Sequence, residues 1–198
     1  MPNVIIIEPS QYLRMPWKNG LGETLEIQRH EDKIGLRFRI SQASVVENGM
    51  FSDFSGLHRT LVLLSGEGMT LGHKNGSNRQ LNTLSKPLNM ARFSGGDETH
   101  ATLKNGKIED LNIMVRDTDT QARIEAYTAP CSFSFSNNDT LFSGFYCNEK
   151  CTLEIDNGEV VNGEIVSVDA HSTVIFSKDT RVLLSQGSGV FIQVFASN

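Results

Sequence analysis

Leu36-Arg37-Phe38-Arg39-Ile40-Ser41 alternates apolar and polar residues at every step. A period of two marks a β-strand, because successive side chains project to opposite faces. Leu36, Phe38 and Ile40 fall on one face, Arg37 and Arg39 on the other. With the apolar face in a core, the two arginines are most simply solvated. Gln42 and Ser44 extend the polar stretch.

The same pattern recurs on both sides of this stretch. Residues 24–28 and 111–116 alternate, and residues 4–7 are a short β-branched run. Residues 60–64 are continuously apolar, as a strand buried on both faces would be. Further strands read near 131–135, 143–147, 152–155, 164–168, 173–176, 181–185 and 189–195. Turn dipeptides separate them, among them Asn48-Gly49, Asn75-Gly76, Asn105-Gly106 and Asn162-Gly163. Asn-Gly adopts positive φ readily, which tight hairpins require. Short strands with turns every 8–12 residues predict a sandwich or barrel rather than an α/β fold. No long amphipathic helix is evident. Residues 117–126 read as one short turn or as a link between halves. Leu63-Leu64-Ser65-Gly66 and Leu183-Leu184-Ser185 echo each other as strand ends. The expectation is an all-β chain of two tandem barrels packed as one body, over about 1–120 and 121–198.

Composition limits the partners. The chain has 198 residues and a formal net charge of −5. With no basic tract, nucleic-acid binding is not expected, since it needs clustered Lys and Arg to neutralise phosphates. Nothing approaches the roughly 18 apolar residues of a membrane helix. The apolar run at 4–7 is too short for a signal-peptide core and lacks a basic leader. A cytoplasmic chain with no membrane association is expected. Its three cysteines, Cys131, Cys147 and Cys151, read as reduced thiols.

Chemistry concentrates in a few places. Residues 14–24 hold the only Trp (Trp17), then Lys18, Asn19, Gly20 and Gly22. A Gly-rich turn lets backbone amides approach a ligand, and Lys18 and Asn19 supply charge and hydrogen bonds. The alternative is a turn leading into a strand, with Trp17 as a core plug. Arg59 opens the apolar run at 60–64. It could present its fork to a carboxylate ligand or form a structural ion pair. Asn112, Met114 and Arg116 share one strand face, as a mixed pocket wall or an edge strand would arrange them.

The five histidines, His30, His58, His73, His100 and His171, stand singly with no His-x-His pair. A metal site needs several converging imidazole or carboxylate ligands, so no metal and no other cofactor is expected. Cys147 and Cys151 lack a second ligand pair for zinc. No nucleophile elbow is present. His100 either lines a pocket or is structural.

Residues 15–27, Met-Pro-Trp-Lys-Asn-Gly-Leu-Gly-Glu-Thr-Leu-Glu-Ile, resemble the opening signature of the HutD/Ves family. Phe38-Arg39-Ile40-Ser41-Gln42, His58-Arg59-Thr60, Leu64-Ser65-Gly66, Thr99-His100-Ala101 and residues 110–116 follow in the family's order. The likeness covers about residues 5–120. It implies a bicupin: two cupin-like (RmlC-like jelly-roll) barrels without the usual metal ligands, with a pocket in the first. One branch of the family is encoded with histidine-degradation enzymes and is thought to bind a small anion such as N-formylglutamate as a governor of flux. Carried over by position, the pocket residues are Trp17, Lys18, Asn19, Arg39, Gln42, Arg59, Asn112 and Arg116. Leu21 stands where histidine-linked members usually carry Gly, so the ligand here need not be theirs.

The expected function is binding of a small carboxylate by cationic side chains with Trp17 and Met114 as apolar walls. The rivals are a metal-independent isomerase or hydrolase, with His100 as base, and a protein–protein interaction module. Homodimerisation through an edge strand is left open.

Overall fold

The computed structural model describes residues 4–17, 22–156, 158 and 163–197. It is almost entirely β. Its strands are β1 (Val4–Ile7), β2 (Leu13–Pro16), β3 (Gly22–Asp32), β4 (Gly35–Val45), β5 (Gly49–Met50), β6 (Leu57–Ser65), β7 (Met69–Asn75), β8 (Asn78–Leu84), β9 (Met90–Ser94), β10 (Glu98–Leu103), β11 (Ile108–Arg116), β12 (Thr120–Thr128), β13 (Cys131–Phe135), β14 (Thr140–Cys147), β15 (Cys151–Asp156), β16 (Glu164–Val168), β17 (Thr173–Phe176), β18 (Thr180–Gln186) and β19 (Ser188–Ala196). No helix among the described residues is long and apolar enough to cross a membrane.

The strands form two compact units. Residues 13–120 make one; residues 1–12 with 121–198 make the other. Each is a pair of antiparallel sheets, the two-layer construction of a cupin-like jelly roll. In the first unit the sheets run β2-β3-β4-β11-β6-β9 and β5-β10-β7-β8. Leu61, Leu63, Met69, Leu71, Phe93 and Ile108 fill the space between them. In the second unit the sheets run β1-β17-β14-β19-β12 and β13-β18-β15-β16. Phe133, Phe135, Phe145, Leu153, Val174 and Phe191 are at the centre of that core.

Asn75 pairs with Asn78 across the β7–β8 hairpin. The two-residue loop between them contains Gly76 at φ +57°, the left-handed geometry such loops need. Buried Cys147 and Cys151 and half-buried Cys131 are all free thiols.

Two segments depart from the sequence reading. Strand β1 pairs with β17, Val4 opposite Phe176 and Ile7 opposite Thr173. Residues 4–12 therefore fold with the C-terminal unit. Residues 120–128 form a full strand, β12, beside β19, not a short turn or a link. Arg123, Glu125 and Tyr127 hid its period. They share one face, with Arg123 and Tyr127 both donating to Glu125, while Ile124 is buried on the other.

Candidate functional site

The central strands β4 and β11 of the six-stranded sheet in the first unit bury residues on both faces. Phe38, Ile40, Leu111 and Ile113 are buried on one. On the other, cross-strand pairing sets side chains in rows. Arg39, Met114 and Arg59 lie in register across β4, β11 and β6. The next row is Ser41, Asn112 and Leu61; the next is Ala43, Asp110 and Leu63. Directly paired residues share a face, so these rows make one wall. Thr24 and Glu26 on β3 extend it opposite Ala43 and Ser41.

This wall bounds a cavity of about 410 Å³. Trp17, Thr24, Arg39, Ser41, Arg59, Asp110, Asn112 and Met114 line it, with residues 49–52 and Phe54 along the opposite side. Trp17 is fixed there. Its indole Nε1–H donates to Thr24 Oγ1 at 2.9 Å, and its backbone amide donates to the Gly22 carbonyl, also at 2.9 Å. A Cβ at residue 22 would lie 2.2 Å from the Ser44 carbonyl oxygen and 2.9 Å from the Trp17 ring. Gly22 is thus required by close approach, in addition to any backbone freedom.

Arg59 is the deepest cation. It is 4% exposed, and its guanidinium sits 4.9, 5.4 and 5.1 Å from the ring centroids of Phe51, Phe54 and Phe93. One Nη2–H donates to Asn112 Oδ1 at 2.7 Å; Nε is buried with no hydrogen-bond partner. Burial pulls its pKa down to about 10. Among the described residues no carboxylate forms an ion pair with it. Arg39 is different: its Nε–H donates to Glu26 at 2.6 Å, and both groups are largely buried.

Because Arg59 can only donate, Asn112 must turn its oxygen to Arg59 and its amide N–H₂ to Asp110. Asn112 Nδ2 does donate to Asp110 Oδ1. Asp110 is 1% exposed and its Oδ2 has no partner. Burial pushes its carboxyl up to about 7, opposed by Arg59. The β11–β6 register slips between Glu109 and Asp110. Such bulges re-aim side chains beside binding sites.

The structure brings Trp17, Arg39, Arg59, Asn112 and Met114 to this cavity. Lys18, Asn19 and Leu21 lie outside the described residues. Gln42 is buried in the wall strand but one step out of phase with Ser41 and Ala43, so it faces away. His100 is exposed, out of phase with cavity-lining Ala101. Arg116 is held by Asp32 at 2.9 and 2.5 Å and by Asp119 at 2.8 Å and faces a separate depression near Gly56. Arg39 is not solvated as first expected, because both faces of β4 are covered.

Sequence reasoning missed Asp110, Glu26, Thr24 and the Phe51, Phe54 and Phe93 box. Glu109-Asp110 after Asn105-Gly106 looks like turn charge. Its one signal was that Asp110 shares the alternation of Asn112 and Met114.

The cavity does not suit a divalent cation. Its walls offer two guanidinium groups and no imidazole, and no group of three His, Cys, Asp or Glu among the described residues is placed to hold a metal.

A family model described as HutD matches residues 9–192. An uncharacterised 21.2 kDa protein in the hutC 3′ region of Pseudomonas putida is 35% identical over 127 residues, 63% of this chain and 65% of that protein. Protein Ves of Citrobacter koseri is 36% identical over 54% of this chain and 56% of its own length. The matches thus span less than two thirds of these relatives. A solved structure of HutD from Pseudomonas fluorescens SBW25 superposes with a TM-score of 0.78 at 24% identity, covering 98% of this chain and all of that one. An oxalate decarboxylase from Lactobacillus farciminis superposes at 0.62 and 7% identity, covering 96% of this chain and 85% of that one, a likeness of fold alone.

Proposed function

This chain belongs to the HutD family, and from that premise we propose that the cavity of its first unit binds a small carboxylate. One observation carries the reading. Arg59 is a buried cation on the cavity wall with no carboxylate of the described residues paired to it. A buried charge without a counter-ion costs several kcal/mol, on the order of 3–5. A ligand carboxylate would offset that cost with parallel hydrogen bonds from the fork. Asn112 and Thr24 add polar contacts, and Trp17, Met114 and the phenylalanines supply apolar walls. A concave site with few convergent polar groups is the usual small-molecule design.

The relative from the hutC 3′ region favours an intermediate of histidine utilisation as ligand, and a regulatory role in that pathway. N-formylglutamate is the first candidate. A thermal-shift panel of N-formylglutamate, glutamate, urocanate, histidine and formate tests this. Ligand at 100-fold its Kd stabilises by about 2.7 kcal/mol, a rise of roughly 5–10 °C for this size. A selective rise with N-formylglutamate supports the reading. A flat panel removes the histidine-utilisation link and counts against carboxylate binding.

An enzymatic reading would now use Asp110 in place of His100, since Asp110 is the buried acid in the cavity with a pKa near neutrality. Conversion of N-formylglutamate by the wild type in proton NMR, lost in Asp110→Ala, would favour it. An unaltered compound after long incubation would remove it.

A further inference from the structure

Among the described residues, the charges around the cavity do not add up to an anion site if every acid is ionised. Arg39 on β4 is matched by Glu26 on β3. Arg59 on β6 faces Asp110 on β11 through Asn112. Glu47 is exposed at the rim. Glu109 adjoins Asp110 but lies one step out of phase and pairs with Lys107 at 3.1 Å. His73 on β7 packs in a tilted contact with Phe93 and hydrogen-bonds Thr99, with burial holding its pKa down. With Asp110 ionised, both guanidinium groups are already neutralised, and an incoming carboxylate would be one negative charge in excess. With Asp110 neutral, Arg59 is the uncompensated cation.

Hydrogen-bond geometry says where the proton would sit. Asp110 Oδ1 accepts from Asn112 Nδ2, so that oxygen is occupied as an acceptor. Oδ2 is buried and has no partner, on a residue that lines the same cavity. A buried polar atom left unpaired is costly, so Oδ2 is the Asp110 oxygen left to pair with a ligand group.

We propose that Asp110 recognises the ligand as a neutral carboxylic acid, its Oδ2–H donating to the ligand carboxylate beside Arg59, so that the cavity takes one carboxylate group together with one proton. This rests on the carboxylate reading of the cavity. The proton is taken from water or buffer acid, whose bond to it breaks as Oδ2–H forms, and no bond between ligand and protein is made. Burial, which holds the Asp110 carboxyl near neutrality, fits this use. By linkage, anion binding raises that pKa further, so protons are taken up wherever free Asp110 is ionised.

The test is isothermal titration calorimetry of the full chain with formate and with N-formylglutamate, from pH 5.5 to 9, in two buffers of different ionisation enthalpy. Neither probe titrates its carboxylates in that range. At pH 8 and above each bound carboxylate should take up about one proton, with little uptake at pH 5.5, and Kd should weaken about tenfold per pH unit above neutrality. Asparagine imitates the protonated acid, with an N–H₂ in place of Oδ2–H. Asp110→Asn should therefore bind more tightly than the wild type above pH 8 and exchange no proton. Wild-type binding with a flat Kd and no proton uptake would overturn the proposal while leaving the carboxylate site standing. So would Asp110→Asn that keeps the wild-type pH slope. No binding of either probe at any pH would overturn the carboxylate site, and this proposal with it. The proton count is made on the wild type, so it stands even if the variant misfolds.

Discussion

Replacing Arg59 by methionine separates a ligand anchor from a structural cation. Burial lowers the Arg59 pKa from 12.5 to about 10, which corresponds to about 3 kcal/mol of strain on the charged form. Methionine has similar length and no charge, and its sulfur packs well among Phe51, Phe54 and Phe93. Against that relief, Asn112 Oδ1 loses its donor at 2.7 Å, a cost of about 1–3 kcal/mol. Net stability of the ligand-free protein should thus lie between unchanged and about 2 kcal/mol higher, a melting temperature raised by up to roughly 6 °C. A cation that belongs to a structural pair behaves in the opposite way, because its loss costs about 3–5 kcal/mol. Thermal unfolding by circular dichroism at pH 7, without added carboxylate, reads the difference. A fall of more than about 6 °C in Arg59→Met would refute the view that this charge awaits a ligand.

Three further outcomes follow from the same geometry. Gly22→Ala forces a Cβ against the Ser44 carbonyl and the Trp17 ring; unfolding in urea should show a loss of about 2 kcal/mol or more, as for an overpacked core, with a shifted Trp17 emission. Asn112→Ala leaves an Arg59 N–H and Asp110 Oδ1 without partners, so urea unfolding should show a loss of about 2–4 kcal/mol. Arg116→Met removes the guanidinium that holds Asp32 and Asp119 below the usual carboxylate range. Depressed carboxylates stabilise above their unfolded pKa and lose that effect as pH falls through the folded value. The variant should therefore melt below the wild type at pH 7, and the gap should close as calorimetry is taken below about pH 4.

Alternation at residues 36–41 and 111–116 and the apolar run at 60–64 were enough to find the three strands that form the wall of the cavity. Those strands are central, apolar on at least one face, and uninterrupted. Strand β12 escaped because Arg123, Glu125 and Tyr127 satisfy one another on its polar face. The placement of β1 escaped because pairing with β17 is set by partners some 170 residues away, which local pattern does not encode. At the site, the family likeness pointed to Arg39, Arg59 and Asn112, and Met114 stood out on the strand face it shares with Asn112, while the alternation of residues 36–41 by itself left Arg39 on a solvated face. Gln42 and Arg116 came from the family likeness and His100 was read as lining a pocket or structural, yet a step of one residue turns Gln42 and His100 to the other face. Arg116, in phase with Asn112, is claimed instead by two aspartates, one of them Asp32 on β3. Asp110 stayed hidden because what sets it apart is its tertiary burial, which local pattern does not encode.

Trp17 is the chain's single tryptophan, and it lines the cavity, so its emission reports from that place alone. Titrating N-formylglutamate and formate into the wild type and Arg59→Met at pH 6 therefore tests the carboxylate site directly. A saturable change in Trp17 fluorescence in the wild type, weakened at least about 30-fold in Arg59→Met by loss of a buried charge contact worth 2 kcal/mol or more, is the expected result. Calorimetric binding with silent Trp17, undiminished in Arg59→Met, would place any ligand elsewhere and contradict it.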